Sequence, residues 1–309
     1  MKRLFSIILV LCLLLAGCGG KSNKNKTKVG VLFNAYTHTA QQEALLEALD
    51  EAGYLGVPMS ANGDHNLQKT YLSGLMDQKF PLIIIEPADP EKSGELAQIL
   101  KNADVPGIFI GQEPEAEVLD SWDKLFYVGV DETLQGSLQG QMVANSMDGG
   151  DINGDGVVSY AIISGPEGEL ITEHCDDALN GNLLEICVST GDRENSREIT
   201  RELMNRFGRD VEVVLCNSDE LALGAVQSVL AGGWTPGQDV YVVGVGGTEE
   251  MLNQIDKGTC FGTVLPDETL RAQQIAKIAV ALRDDSEVEK RFYAGYTSVT
   301  AENIAIFVD

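Results

Sequence analysis

The stretch DINGDGVVS, residues 151–159, sets oxygen-bearing side chains at alternate positions. Asp151, Asn153 and Asp155 occupy positions 1, 3 and 5 of an EF-hand-type calcium loop. Gly156 falls at position 6, where such a loop turns sharply, the Val157 carbonyl at position 7 and Ser159 at position 9. Carboxylates and carbonyl oxygens suit a hard cation, so calcium is the expected cofactor. An EF-hand closes with a bidentate Glu at position 12, and here that position is Ile162, inside an apolar run. The closing carboxylate must come from elsewhere. A metal-free Asx/Gly-rich surface turn is the competing reading.

A second reactive residue is Cys18. Lys2 and Arg3 precede a short apolar segment that runs into Leu15-Ala16-Gly17-Cys18, a lipobox pattern. The expectation is a lipoprotein signal over 1–17, lipidation of Cys18, and a polar tether over 18–27. This places the chain outside the cytoplasm, anchored to the cell membrane. The segment is too short for a comfortable membrane span. The formal charge of −25 argues against nucleic acid as a partner and suits a divalent cation.

Other motifs offer little chemistry. No Walker A, G-x-S-x-G or H-E-x-x-H pattern occurs, and His38, His65 and His174 are too scattered for an evident triad. Catalysis is not expected. The turn VGVGGTEE, residues 243–250, departs from G-x-G-x-x-G and reads as a tight turn with Thr248 capping a helix. EHCDD, residues 173–177, is dense in donors but reads as a solvated helix face. Cys175, Cys187, Cys216 and Cys260 match no zinc spacing, and their pairing stays open.

These residues must be positioned by alternating elements. Strands read at 28–33, 81–87, 107–111 and 124–131, with helices at 41–53, 67–78, 91–106 and 133–147. After the loop the alternation restarts, with strands at 157–164, 184–189, 211–216, 240–245 and 259–264. Helices follow at 196–207, 219–231, 248–257 and 267–282. Strands that are continuous apolar runs imply parallel sheets covered on both faces. The expected fold class is α/β: two doubly wound parallel-sheet lobes joined by a three-segment hinge.

Four stretches resemble the galactose/glucose-binding periplasmic proteins: residues 111–144, 151–168, 215–229 and 260–273. These are type I solute-binding subunits of ABC sugar importers. The resemblance implies a first lobe of 28–130 plus 266–297 and a second of 131–265 plus 298–309. The hinge crossings would fall near 130–132, 264–267 and 296–299. It implies that the calcium loop is completed by a distant Glu on the neighbouring strand, matched here to Glu185. It also implies a sugar or related small solute in the cleft, a membrane permease as partner, and a monomer. The alternative is a sensor presenting ligand to a chemoreceptor or histidine kinase.

Carried over residue by residue, the ligand positions are His38, Gly111, Glu169, Glu194, Ser218 and Gly246, with Ala40, Ile171, Cys175 and Pro266 at further contacts. The family's stacking rings and most of its polar hexose partners are therefore replaced. A pocket so changed is expected to hold glucose or galactose weakly.

Overall fold

The computed structural model describes residues 26–308, apart from His38, Glu132, 166–174, Asp176, Asp177 and Asn180. Twelve labelled strands form two six-stranded sheets. In the first, β1 (Thr27–Phe33), β2 (Tyr54–Ser60), β3 (Ile83–Ile85), β4 (Gly107–Ile110), β5 (Leu125–Val130) and β11 (Arg291–Ala294) lie in the order β11-β5-β4-β3-β1-β2, all parallel. The second contains β6 (Ser159–Ser164), β7 (Asn182–Val188), β8 (Val213–Cys216), β9 (Tyr241–Val245), β10 (Gly262–Pro266) and β12 (Tyr296–Thr300). Its order is β12-β10-β9-β8-β6-β7, with β12 antiparallel to β10 and the rest parallel.

Alternation explains why the strands read as unbroken apolar runs. Val29, Val31 and Phe33 of β1 pack into one core and Leu32 into another on the opposite face. Ile84 and Ile83 divide in the same way. Cores likewise cover both faces of the second sheet. Helices supply the covering layers. Around the first sheet they are α1 (Ala40–Glu51), α2 (His65–Asp77), α3 (Ser93–Ala103), α4 (Ala116–Asp120) and a helix from the end of the chain, Glu268–Arg283. Around the second they are α5 (Thr133–Ala144), α6 (Arg193–Phe207), α7 (Asp219–Ala231) and α8 (Glu249–Asp256). The late helix, α9 (Glu268–Arg283), buries Ala272, Ile275 and Ile278 in the first lobe's core.

The chain changes lobe three times, after Val130, after Pro266 and at Gly295. The first two crossings lie where the sequence places them. The third lies earlier than 296–299, because Tyr296 already pairs with Pro266 in the second sheet. The crossings are tied together: the Asp267 N–H donates to the Gly295 carbonyl at 2.9 Å, and Gln135 Nε2 donates to the Tyr296 hydroxyl at 2.6 Å. Strands β2, β11 and β12 were not read from the sequence. β2 carries Gly56 and Pro58, and as an edge strand it tolerates a residue lacking an N–H.

Candidate ligand cleft and calcium loop

In the first sheet the order reverses direction of travel between β1 and β3, a topological switch point. Open α/β sheets bind ligands outside the carboxyl ends of strands at such points. A cavity of about 250 Å³ lies there. Its apolar floor includes Phe33, Ile110 and Ile275, and its polar wall is Gln41, Glu86, Glu268 and Arg271. A larger cavity of about 590 Å³ sits at the other, amino-terminal edge of the second sheet, against Tyr241 and Phe261. The switch point favours the first as the ligand site.

The polar wall is built by local geometry. β3 ends at Ile85, and Glu86 follows at its carboxyl end, its N–H still donating to the Leu32 carbonyl of β1 at 2.8 Å. Gln68, fully buried on α2, holds that end: its amide donates to the Glu86 carbonyl at 2.7 Å and accepts from the Ala88 N–H at 3.0 Å. Glu86 Oε2 accepts from the Asn34 N–H at 3.1 Å. Burial pushes the Glu86 carboxyl above its ordinary range, opposed by that N–H and by Arg271. Glu268, in the first turn of α9, is also pushed up by burial and pulled down by Arg271, whose Nη1 donates to Glu268 Oε1 at 3.1 Å.

Gly111 lines this cavity. Its φ is +79°, and a Cβ there would stand 3.3 Å from Glu86 Cγ. Ser218 and Gly246 lie at the matching edge of the second sheet, outside this cavity. Ser218 caps α7, its Oγ accepting from the Leu221 N–H. Gly246, at φ +135°, backs onto the buried Asp219. Asp219 accepts from the Thr263 hydroxyl and the Thr248 N–H, both at 2.6 Å. Glu194 does not line this cavity; it stands exposed on α6, 3.4 Å from Arg197. His38 and Glu169, with Ile171 and most of the 173–177 cluster, lie outside the described residues, as does Cys18. No disulfide joins Cys175, Cys187, Cys216 and Cys260 to one another, and burial pushes each above the ordinary thiol range. Thr248 caps α8, accepting from Met251, so 243–250 is the tight turn the sequence suggested.

The 151–159 loop folds on its own carboxylates. Asp151 accepts from the backbone of Gly154, Asp155 and Gly156, Asn153 Oδ1 from Asp155, and Asp155 Oδ1 from Val157. Among the described residues no three Asp, Glu, His or Cys side chains stand close enough to hold a metal.

The matching of Glu185 to this loop does not survive the sheet register. Glu185 pairs with Ala161, whereas Asn182 is the β7 residue beside Ser159. Three residues along a strand is about 10 Å. The Glu185 carboxylate instead pairs with Arg206. The residue that reaches the loop is Glu212, just before β8, the strand on the other side of β6. Glu212 is 1% exposed. Its Oε1 accepts from the Asn153 N–H at 2.9 Å and its Oε2 from the Ser159 N–H at 2.8 Å. Glu212 is thus the buried carboxylate that turns both oxygens to the backbone of this loop.

Two lobes of parallel sheet, three tied crossings and a polar cavity at the switch point define a hinged ligand-binding protein. The chain belongs to the periplasmic binding protein domain family, whose model matches residues 29–287. Relatives include the D-galactose/methyl-galactoside binding periplasmic protein of Haemophilus influenzae, 24% identical and covering 90% of this chain and 88% of that one. A putative rhizopine-binding protein of Rhizobium meliloti is 22% identical, covering 78% of each. Among solved structures, an ABC transporter solute binding protein of Bacillus halodurans with bound myo-inositol superposes with a TM-score of 0.72 at 22% identity, covering 91% of this chain and 97% of that one. A periplasmic ribose ABC transporter protein of Conexibacter woesei reaches 0.78 at 18% identity, with 94% and 96% covered. The expected fold class stands, and membership in a non-enzymatic family agrees with the lack of a catalytic constellation. The named relatives are binding and import proteins, and the sensor alternative gains no support from them.

Proposed function

We propose that this protein is the extracytoplasmic solute-binding subunit of an ABC importer, taking a polyhydroxylated solute in the cleft between its lobes. The cavity at the β1/β3 switch point carries this reading: an apolar floor for the C–H face of a ring and a polar wall for its hydroxyls. The relatives' names, which include galactose, ribose and xylitol, support the solute class. A ligand touching both lobes favours the closed state by its differential affinity for that state. A permease would recognise the closed form. Lipidation at Cys18 would keep the protein at the membrane as a monomer.

Calcium is part of the proposal. Asp151, Asn153, Asp155, the Val157 carbonyl and Ser159 would hold it, with Glu212 in place of Glu185 as the closing carboxylate. The ion would supply fixed positive charge that ties the loop to β8. A thermal-shift screen of sugars and cyclitols, with and without calcium, tests the reading. At least one polyol should raise the melting temperature; no response across the panel would refute the solute class.

A further inference from the structure

We propose that the cleft selects a polyol bearing a protonated amine, an amino sugar or aminocyclitol, and that Glu86 is the selecting residue. The inference rests on the polyol-binding reading above and narrows its ligand class.

Three charged groups share the cavity: Glu86, Glu268 and Arg271. Arg271 is committed to Glu268 by the 3.1 Å contact, so that pair is locally neutral. Glu86 has one hydrogen bond to its carboxylate, from the Asn34 backbone, and forms no ion pair among the described residues. Arg271 assists it only through space. The wall therefore carries one carboxylate in excess.

The facing edge of the second lobe does not offset it with what is described there. Ser164, Gly165, Asn217, Ser218 and Gly246 are uncharged, and the Asp219 carboxylate is turned into its own lobe. Arg193, at the start of α6, is held by Glu220 at 2.7 Å and by Glu250 at 2.8 Å.

Closing the lobes over a neutral polyol would remove water from Glu86 and return only a hydroxyl. A buried charge without a counter-charge is costly, and an ammonium on the ligand supplies one. The remainder of the cavity suits a ring. Phe33, Leu45 and Ile110 offer an apolar face, and the Gln41 amide, bonded to no described residue, can take a hydroxyl.

The test is calorimetry at pH 7 on the purified protein with matched pairs: D-galactose against D-galactosamine, and myo-inositol against 1-amino-1-deoxy-scyllo-inositol. At least one amine should bind tenfold or more tighter than its neutral parent, about 1.4 kcal/mol. Glu86→Gln keeps an acceptor for the Asn34 N–H and should shrink that preference below threefold. Arg271→Gln removes the cation and should widen it. Should Glu86→Gln fail to fold, the second variant still decides: a preference that does not rise overturns the proposal. Equal or tighter binding of the neutral members overturns the amine selection and leaves the polyol reading intact. Silence from all four ligands sinks both.

Discussion

Glu212→Gln is the substitution that most directly examines the loop. Glu212 is buried, with one oxygen on the Asn153 N–H and the other on the Ser159 N–H. Glutamine keeps one acceptor and turns an NH2 group toward an N–H. Hydrogen bonds to charged groups contribute about 1.5–3 kcal/mol each, so the variant should lose about 2 kcal/mol. For a chain of this size that corresponds to a fall of roughly 4–8 °C in melting temperature. Calcium adds a separate increment. Binding to the folded state alone stabilises by RT ln(1 + [L]/Kd), about 2.7 kcal/mol at a hundredfold excess over Kd, or roughly 5–11 °C. Differential scanning calorimetry with chelator and then with excess calcium reads both effects on one sample. Glu212→Gln should lower the chelated melt and lose most of the calcium increment. Glu185→Gln should keep the full increment, because it breaks only an exposed pair with Arg206 and exposed pairs are worth about 0–1 kcal/mol. A Glu212→Gln protein with an undiminished calcium response, or a Glu185→Gln protein without one, refutes the assignment.

Three further outcomes are expected. Cys18→Ala should abolish palmitate incorporation in a producing bacterium and shift the protein to the soluble fraction; equal labelling of the variant removes the anchor from the account. Gly111→Ala forces a side chain into left-handed backbone and sets its Cβ 3.3 Å from Glu86 Cγ, so urea denaturation should show a loss of about 1–2 kcal/mol from the backbone alone, and a loss under about 0.5 kcal/mol would refute the left-handed strain at this turn. Asp219 has a carboxyl raised from 3.8, chiefly by burial. The folded chain therefore holds that proton to higher pH than the unfolded one. The stability it contributes is fully present below about 3.8 and is lost as pH rises through the folded value. The stability of wild type relative to Asp219→Asn should fall as pH rises from about 4 to 7, and a difference constant in pH would show that the Thr263 and Thr248 hydrogen bonds cancel the burial.

The lobes were legible because parallel strands buried on both faces leave unbroken apolar runs, as in VGVLF, LIIIE and VEVVLC. β2, β11 and β12 were less so. They lie at sheet edges, where half-exposed positions, Gly56 and Pro58 dilute the pattern. The turn at 151–159 was legible through its spacing, but the buried carboxylate that reaches it was not. A parallel strand has two neighbours, and sequence order points to the next strand, β7, while β6 is also flanked by β8. A signal for Glu212 did exist: it is the one charge in the apolar stretch VEVVLC, at a position that folding buries. The same signal marks Glu86, a carboxylate closing the run PLIIIE. Neither Glu212 nor Glu86 falls at a position that the resemblance to the hexose-binding family carries over.

The two lobes solve one problem twice, and the difference between the solutions bears on selectivity. In each, a fully buried Gln holds strand ends. Gln68 binds the Glu86 carbonyl in the first lobe, and Gln139 donates to the Cys216 carbonyl at 2.8 Å in the second. In each, a positive-φ glycine at a strand's carboxyl end, Gly111 or Gly246, leaves room for a carboxylate behind it. In the second lobe that carboxylate, Asp219, is 2% exposed and its hydrogen bonds run inward, so it braces the turn before α8. In the first lobe Glu86 lines the cavity with one backbone donor on its carboxylate. A charged ligand would therefore be sensed by the first lobe, while the residues described at the facing edge of the second, Ser164, Gly165, Asn217, Ser218 and Gly246, carry no charge. Asp219→Asn should accordingly have little effect on the amine preference, and Glu86→Gln should reduce it. Matched calorimetry on the two variants separates bracing from recognition, and an amine preference that follows Asp219 instead of Glu86 would reverse these roles.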